Sequence, residues 1–161
     1  MGEESVDLGG VTRIGIISDT HGLLRPAVAD VFADVDHILH AGDIGGDDVL
    51  RLLRKLAPVI YVGGNNDDGC DGLDIVRVAL GGVRILLTHI LPKPEKPRAE
   101  VLASLRRKPA DLVIFGHSHL PYNGVIDGVA YFNPASAGPK RFRNPVMVGM
   151  LERGALRHIG L

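Results

Sequence analysis

Ile14-Gly-Ile-Ile-Ser-Asp19-Thr-His21 begins as an apolar run and ends on a carboxylate and an imidazole. Three isoleucines within four positions, bounded by polar residues, read as a short strand buried on both faces. The same ending recurs along the chain. His37-Ile-Leu-His40 runs into Gly42-Asp43, and Val59-Ile-Tyr-Val62 runs into Gly64-Asn65-Asn66-Asp67. Val83-Arg-Ile-Leu-Leu-Thr88 runs into His89, and Leu112-Val-Ile-Phe115 runs into Gly116-His117-Ser118-His119. In open α/β sheets ligands gather outside the carboxyl ends of strands, so these five ends are expected to meet in one crevice.

Between the strands lie helix-length segments near Pro26–Phe32, Asp47–Leu56 and Arg98–Arg107, the first with a proline early in its opening turn. The second carries Val49, Leu50, Leu52, Leu53 and Leu56 at near-helical spacing. Three hairpins are expected, around Gly81-Gly82, Asp127-Gly128 and Arg153-Gly154, since such pairs accept the positive φ of tight turns. The pattern predicts an α/β fold of mixed sheets with helices outside, in one domain over residues 1–161. Residues 1–11, with Glu3, Glu4 and Asp7 and no apolar run, read as a flexible tail rather than a signal peptide.

Composition narrows the function. The chain has 161 residues, 45% hydrophobic and 23% charged, which is ordinary for a globular domain. With 18 Lys and Arg against 19 Asp and Glu, it lacks the basic excess of a nucleic-acid or membrane-surface binder. The most apolar stretch, Ile75–Leu91, is broken by Arg77, Arg84 and His89, so no membrane span is expected and a cytoplasmic location is. One cysteine, Cys70, excludes an internal disulfide and a Cys-rich zinc module. A homo-oligomer stays open.

The five strand ends supply two Asp, one Asn and four His. Singly, a strand-end Asp is an ordinary turn residue and a lone His an ordinary core or surface group. Together they are oxygen and imidazole donors without a thiolate, a set that suits Mn, Fe, Zn or Ni. Seven donors exceed the four of a structural zinc and suit two ions sharing a carboxylate. Such pairs sit roughly 3.5–4 Å apart and clamp the attacking and departing oxygens of a phosphoryl displacement. Asp67, Asp68 and Asp71 superficially suggest a calcium loop, but no Glu stands at its twelfth position. Asp67 is expected instead to support Asn65 or Asn66 by hydrogen bonding. His40 reads equally as an orienting residue and as a packed strand histidine, and His37 and His158 as ordinary ones.

Asp19-x-His21, Gly42-Asp43, Gly64-Asn65-Asn66-Asp67, His89 and Gly116-His117-x-His119 resemble the motifs of the calcineurin-like metallophosphoesterases. The short chain resembles their compact bacterial and archaeal phosphodiesterase branch, and Asn133-Pro134-Ala135-Ser136 extends the likeness where that branch usually has Asn-Pro-Gly-Ser. The resemblance implies a four-layer α-β-β-α sandwich. It implies two divalent ions, Mn2+ foremost, one on Asp19, His21, Asp43 and His119 and the other on Asp43, Asn65, His89 and His117. It implies hydrolysis of a small phosphate ester, by in-line attack of a hydroxide bridging the ions, with Asp43, Asn66 and Asp67 in the catalytic set. Asn66 stands where the family usually has a proton-donating histidine. An amide donates a hydrogen bond but transfers no proton near neutral pH, which favours diesters with good leaving groups over monoesters. His89 is followed by Ile90-Leu91 where relatives often have Gly-His, which bears on pocket shape. The family also contains a retromer scaffold subunit, so a non-catalytic interaction module is the alternative, and a phosphomonoesterase a second one. Lys93, Lys96 and Arg98, and Lys140, Arg141 and Arg143, form two basic loops whose simplest reading is solvated charge.

Overall fold

The computed structural model describes residues 3–10, 12–67 and 74–161. Along the chain the elements are β1 (Glu3–Asp7), β2 (Arg13–Ile17), α1 (Pro26–Val31), β3 (His37–His40), α2 (Asp47–Arg54), β4 (Val59–Tyr61), β5 (Ile75–Leu80), β6 (Val83–Thr88), α3 (Ala99–Arg107), β7 (Leu112–Ile114), β8 (Pro121–Ile126), β9 (Val129–Pro134), β10 (Met147–Glu152) and β11 (Ala155–Gly160). They form two mixed sheets, ordered β1-β5-β6-β7-β9-β8 and β11-β10-β2-β3-β4. The strands that carry the polar ends run parallel within each sheet, β2 with β3 and β3 with β4 in one, β6 with β7 in the other.

The strand period of two decides what each residue meets. Ile14 and Ile16 on β2 face the other sheet and join Val76, Val78, Ile85, Leu87, Leu112 and Ile114 in a core between the sheets. Ile17 faces outward, where Val28 and Phe32 pack with Val49, Leu50 and Leu53 of α2. Val101 of α3 covers the opposite sheet, against Leu86, Val113 and Phe115. Three cores between four layers give the expected α-β-β-α sandwich. The helices span only 6, 8 and 9 residues, too short to persist alone, and depend on this burial. Fully burying one such side chain, Leu53 for instance, contributes about 1.5–3 kcal/mol. Gly15 lets α1 close on the sheet, because a Cβ there would stand 2.8 Å from the Phe32 ring.

All three expected hairpins form, each with positive φ at both turn residues: Gly81 and Gly82, Asp127 and Gly128, Arg153 and Gly154. The tail expectation fails. Glu3–Asp7 is a strand, β1, paired in parallel with β5 from Glu3↔Ile75 to Asp7↔Ala79. As an edge strand it needs few apolar residues, and Glu4 and Asp7 are exposed, which is why it reads as a tail. Asp68, Cys70 and Asp71 lie outside the described residues. Among the described residues no helix is long and apolar enough to cross a membrane.

Candidate metal centre

The ends of β2, β3, β4, β6 and β7 meet across the two sheets. The Asp19 and His21 amides donate to Gly42 and Asp43 carbonyls at 3.0 Å each, and Gly116 N–H donates to His89 O at 3.0 Å. These bonds align the turns that follow the strands. Among the described residues, five of the nine non-glycine residues with positive φ are Asp19, His21, Asp43, His117 and His119. Left-handed backbone in ordinary residues is costly, and its concentration here points to a site that holds these side chains inward. Glycine makes the approach feasible. A Cβ on Gly64 would fall on the Asp43 amide and carboxylate, and one on Gly116 would come 2.8 Å from Asp19 Oδ2.

Two overlapping groups of donors result. In the first, His119 Nε2 lies 3.2 Å from Asp19 Oδ1, and His21 Nε2 lies 3.2 Å from His119 Nε2 and 3.7 Å from Asp43 Oδ2. In the second, His89 Nε2 lies 3.4 Å from Asp43 Oδ2 and 3.0 Å from Asn65 Oδ1, which is also 3.0 Å from His117 Nδ1. Asp43 Oδ2 thus stands between the groups. The structure brings together all seven donors singled out in the sequence.

Their chemistry fits a divalent cation. His89 Nδ1 donates to Ala41 O at 2.6 Å, so in the neutral ring Nε2 carries a lone pair, directed at the oxygens of Asn65 and Asp43. Asp19 Oδ1 is buried and lacks an aligned hydrogen-bond donor despite its nearness to His119. Electron-rich atoms packed this closely repel one another unless a positive charge sits among them. Asp19, His21 and His119, and likewise Asp19, Asp43 and His89, are clustered tightly enough to share an ion.

Protonation states suit the same role. Burial pushes the Asp19 carboxyl up, but His119 and the Ser18 hydroxyl, 2.6 Å from Oδ2, outweigh it and leave the group below its usual range. Burial holds His21 below the ordinary histidine value, against the pull of Asp43 and Asp19. The first therefore favours a carboxylate and the second a neutral ring, the forms in which each ligates a metal.

Several supporting roles differ from the sequence reading. Asn66 clamps Asp43, its backbone N–H donating to Oδ1 at 2.9 Å and its side-chain amide to Oδ2 at 2.8 Å. Asp67 does not hold Asn65 or Asn66 by their side chains. Its carboxylate accepts from the amides of Gly64 at 2.8 Å and Gly45 at 3.0 Å, fastening the loop after β4 to the turn after β3. Although burial alone would raise it, amides of Gly45, Ile44 and Gly64 keep its pKa below the usual value. His40 is wholly buried, which drives its pKa down to about 4 and keeps it neutral. Gly42 N–H donates to its Nδ1 at 3.1 Å, its Nε2–H then donates to Thr20 Oγ1 at 3.0 Å, and that hydroxyl donates to Ile44 O at 2.8 Å. One directed chain thus ties the Asp19 and Asp43 turns together. His158 stacks on Phe132 at 4.5 Å and bonds Asn133 O, a packing role.

Two residues escaped the sequence reading as site elements. Ser18 and Thr20 flank Asp19, and only their place within that turn hinted at it. Asn133 and Ser136 do bear on the site: Asn133 Nδ2 donates to Gly116 O at 2.9 Å, and Ser136 Oγ donates to Asp19 O at 2.9 Å. Ala135, where glycine is usual in the resembled motif, adopts φ 67° and is fully buried. Its methyl therefore packs in the interior at the cost of some backbone strain.

Comparison with known proteins agrees with this architecture. The "Probable metallophosphoesterase" of Methanothermobacter thermautotrophicus is 36% identical over 146 residues, covering 84% of this chain and 83% of that one. "Phosphodiesterase YfcE" of Escherichia coli is 32% identical over 120 residues, covering 69% of this chain and 61% of that one. The YfcE structure superposes with a TM-score of 0.70 at 27% identity, over 89% of this chain and 90% of that one. Vps29 of Entamoeba histolytica, solved with Zn2+, gives a TM-score of 0.73 at 20% identity over 92% and 98%, a likeness of fold. The model of the calcineurin-like phosphoesterase superfamily domain matches residues 12–154, from the start of β2 to the last hairpin turn, and so spans every strand end that carries a donor. The chain belongs to the calcineurin-like phosphoesterase superfamily.

Proposed function

We propose that the protein is a metal-dependent phosphodiesterase acting on small phosphate esters through two divalent ions, Mn2+ foremost. The observation that carries this is the convergence of seven oxygen and imidazole donors, with Asp43 Oδ2 near both His21 and His89. Asp19, His21, Asp43 and His119 would hold one ion, and Asp43, Asn65, His89 and His117 the other. Such ions supply charge to the phosphoryl oxygens and acidify water towards neutral pH. The chain's residues do the positioning. Asn66 fixes the Asp43 carboxylate through two hydrogen bonds, Ser18 and His117 N–H fix Asp19 Oδ2, and Ala41 O fixes the His89 tautomer. Asp67 acts through the loop that presents Asn65 and Asn66, not on the substrate.

Two measurements test the reading. After Mn2+ loading and desalting, elemental analysis should find about two ions per chain. The loaded protein should hydrolyse bis(4-nitrophenyl) phosphate faster than 4-nitrophenyl phosphate. Less than half an ion per chain, or no turnover of either ester, would overturn it.

Position 66 should set the ester class. Asn66→His places an imidazole able to act as general acid, a contribution of roughly 10²–10⁴ where geometry allows. It also removes the amide that holds Asp43 Oδ2. The expected result is a modest rise in the monoester-to-diester ratio of kcat/KM, alongside a lower absolute rate on the diester. An unchanged ratio with metals still bound would show that Asn66 does not govern substrate class.

A binding module on the same fold is the second reading, favoured by an apolar cleft of about 320 Å3 lined by Leu80, Val83, Leu112, Leu151 and Leu156. It opens among strand starts and hairpin turns, at the opposite end of the strands from the donors. Absence of turnover from a fully metal-loaded protein would favour it.

A further inference from the structure

Of the three cations in the loop after His89, Lys93 and Lys96 are exposed, whereas Arg98 is half-buried. Among the described residues its guanidinium is braced on one side only: Nε–H donates to Ile90 O at 2.8 Å and Nη2 donates to Thr88 Oγ1 at 3.3 Å. Thr88 is itself held, its hydroxyl donating to Asp74 O at 3.1 Å. An arginine has five N–H donors, so these two bonds leave the outer fork of the guanidinium available. Among the described residues no carboxylate pairs with Arg98. A guanidinium fixed by neutral oxygens alone keeps its full charge, and partial burial strengthens the field of that charge.

Arg98 lines a cavity of about 200 Å3 together with Gly63, Gly64, Asn65, His89 and Ile90. Two of these, Asn65 and His89, are donors of the candidate centre, so the cavity borders both that centre and the guanidinium. Asp74 lines it as well, from an exposed position where solvent screens its charge.

We propose that Arg98 forms a second anion subsite beside the metal centre, and that the preferred substrate is a phosphodiester with a carboxylate or phosphate on one of its ester substituents. The first anion is the reacting phosphoryl group; the second meets the open fork of the guanidinium, which suits either planar carboxylate or phosphate oxygens. The identity of the first anion rests on the phosphodiesterase reading, while the subsite itself rests on the cavity and the bracing of Arg98.

Calorimetric titration of the Mn2+-loaded protein with 3-phosphonopropionate and with ethylphosphonate tests this directly, since the two differ by one carboxylate. Wild type should bind 3-phosphonopropionate about tenfold more tightly, the contribution of one charge-assisted contact at a partly exposed site. Arg98→Gln should remove that preference and Arg98→Lys should keep part of it. A parallel series of 4-nitrophenyl ethyl phosphate and its 2-carboxyethyl and 2-phosphonooxyethyl counterparts, with a further pair bearing the carboxylate on the aryl group, reads the same preference as KM and separates carboxylate from phosphate. Equal weakening of both phosphonates by Arg98→Gln would assign the residue a structural role only and overturn the subsite. So would a wild type without preference for the second anion in either series. Arg98-dependent binding without hydrolysis of any ester would uphold the subsite and overturn the phosphodiesterase reading; hydrolysis without that preference would do the reverse.

Discussion

Asp43→Asn is expected to lower turnover of an aryl phosphodiester at least about a hundredfold while leaving the protein folded, the loss that follows removal of a main electrostatic element. The substitution keeps the shape of the side chain and removes one negative charge. Asp43 is the residue whose Oδ2 faces both donor groups, 3.7 Å from His21 Nε2 and 3.4 Å from His89 Nε2. Two ions held there would each lose a carboxylate oxygen. A second penalty adds to the first, because the Asn66 amide now donates to Oδ2 and would meet an amide group in its place. Removing His21 or His117 touches one group of donors and should cost less. The checks are kcat for bis(4-nitrophenyl) phosphate, metal content by elemental analysis and a circular dichroism spectrum matching wild type. Near-normal turnover in a folded Asp43→Asn protein would end the assignment of a shared carboxylate.

How much of this was legible in the sequence follows from range of interaction. Ile14, Ile16 and Ile17 announce a strand by themselves, and the Gly81-Gly82, Asp127-Gly128 and Arg153-Gly154 pairs announce turns, because both depend on local sterics and periodicity. The crevice was legible because parallel strands place their carboxyl ends together, whatever the exact packing. What depended on distant partners was not. β1 is stabilised by its ladder to β5 rather than by its own composition, so Glu3–Asp7 looked like a tail. Asp67 finds its partners in Gly64 and Gly45, one of them 22 residues away, and nothing in the string Asn65-Asn66-Asp67 says that its carboxylate turns from the neighbouring amides. Arg98 shows the same limit. Three cations in one loop look alike in sequence, and only burial and bracing single one out. The positive φ of five donors is likewise invisible beforehand, since none of them is glycine.

His40 supplies the second large effect, in stability rather than turnover. In the metal-free protein, stability should fall by up to about 3 kcal/mol between pH 7 and pH 4 on account of this residue alone. Burial lowers its pKa from 6.5 to about 4, so the folded chain keeps the ring neutral over a range where the unfolded chain binds a proton. Stability from His40 is therefore fully present above about 6.5, declines as pH falls below that value, and is fully lost below about 4. Protonation also breaks the chain itself, because Nδ1 must accept from Gly42 N–H for the ring to hold Thr20. Asp19 and Asp67, whose pKa values lie below the ordinary carboxylate value, lose their contribution only at lower pH. His21 shifts in the same direction as His40 but is partly open to solvent. Urea unfolding of wild type and His40→Gln in EDTA, at pH steps from 7.5 to 4, isolates the effect. The variant should be less stable at pH 7, having lost the link between the Asp19 and Asp43 turns, yet its stability should change less with pH than that of wild type. Parallel stability curves for the two proteins across that range would mean that His40 is not held neutral by the fold. The tie between the two metal-facing turns would then have to come from their backbone bonds, Asp19 N–H to Gly42 O and His21 N–H to Asp43 O, without a histidine behind them.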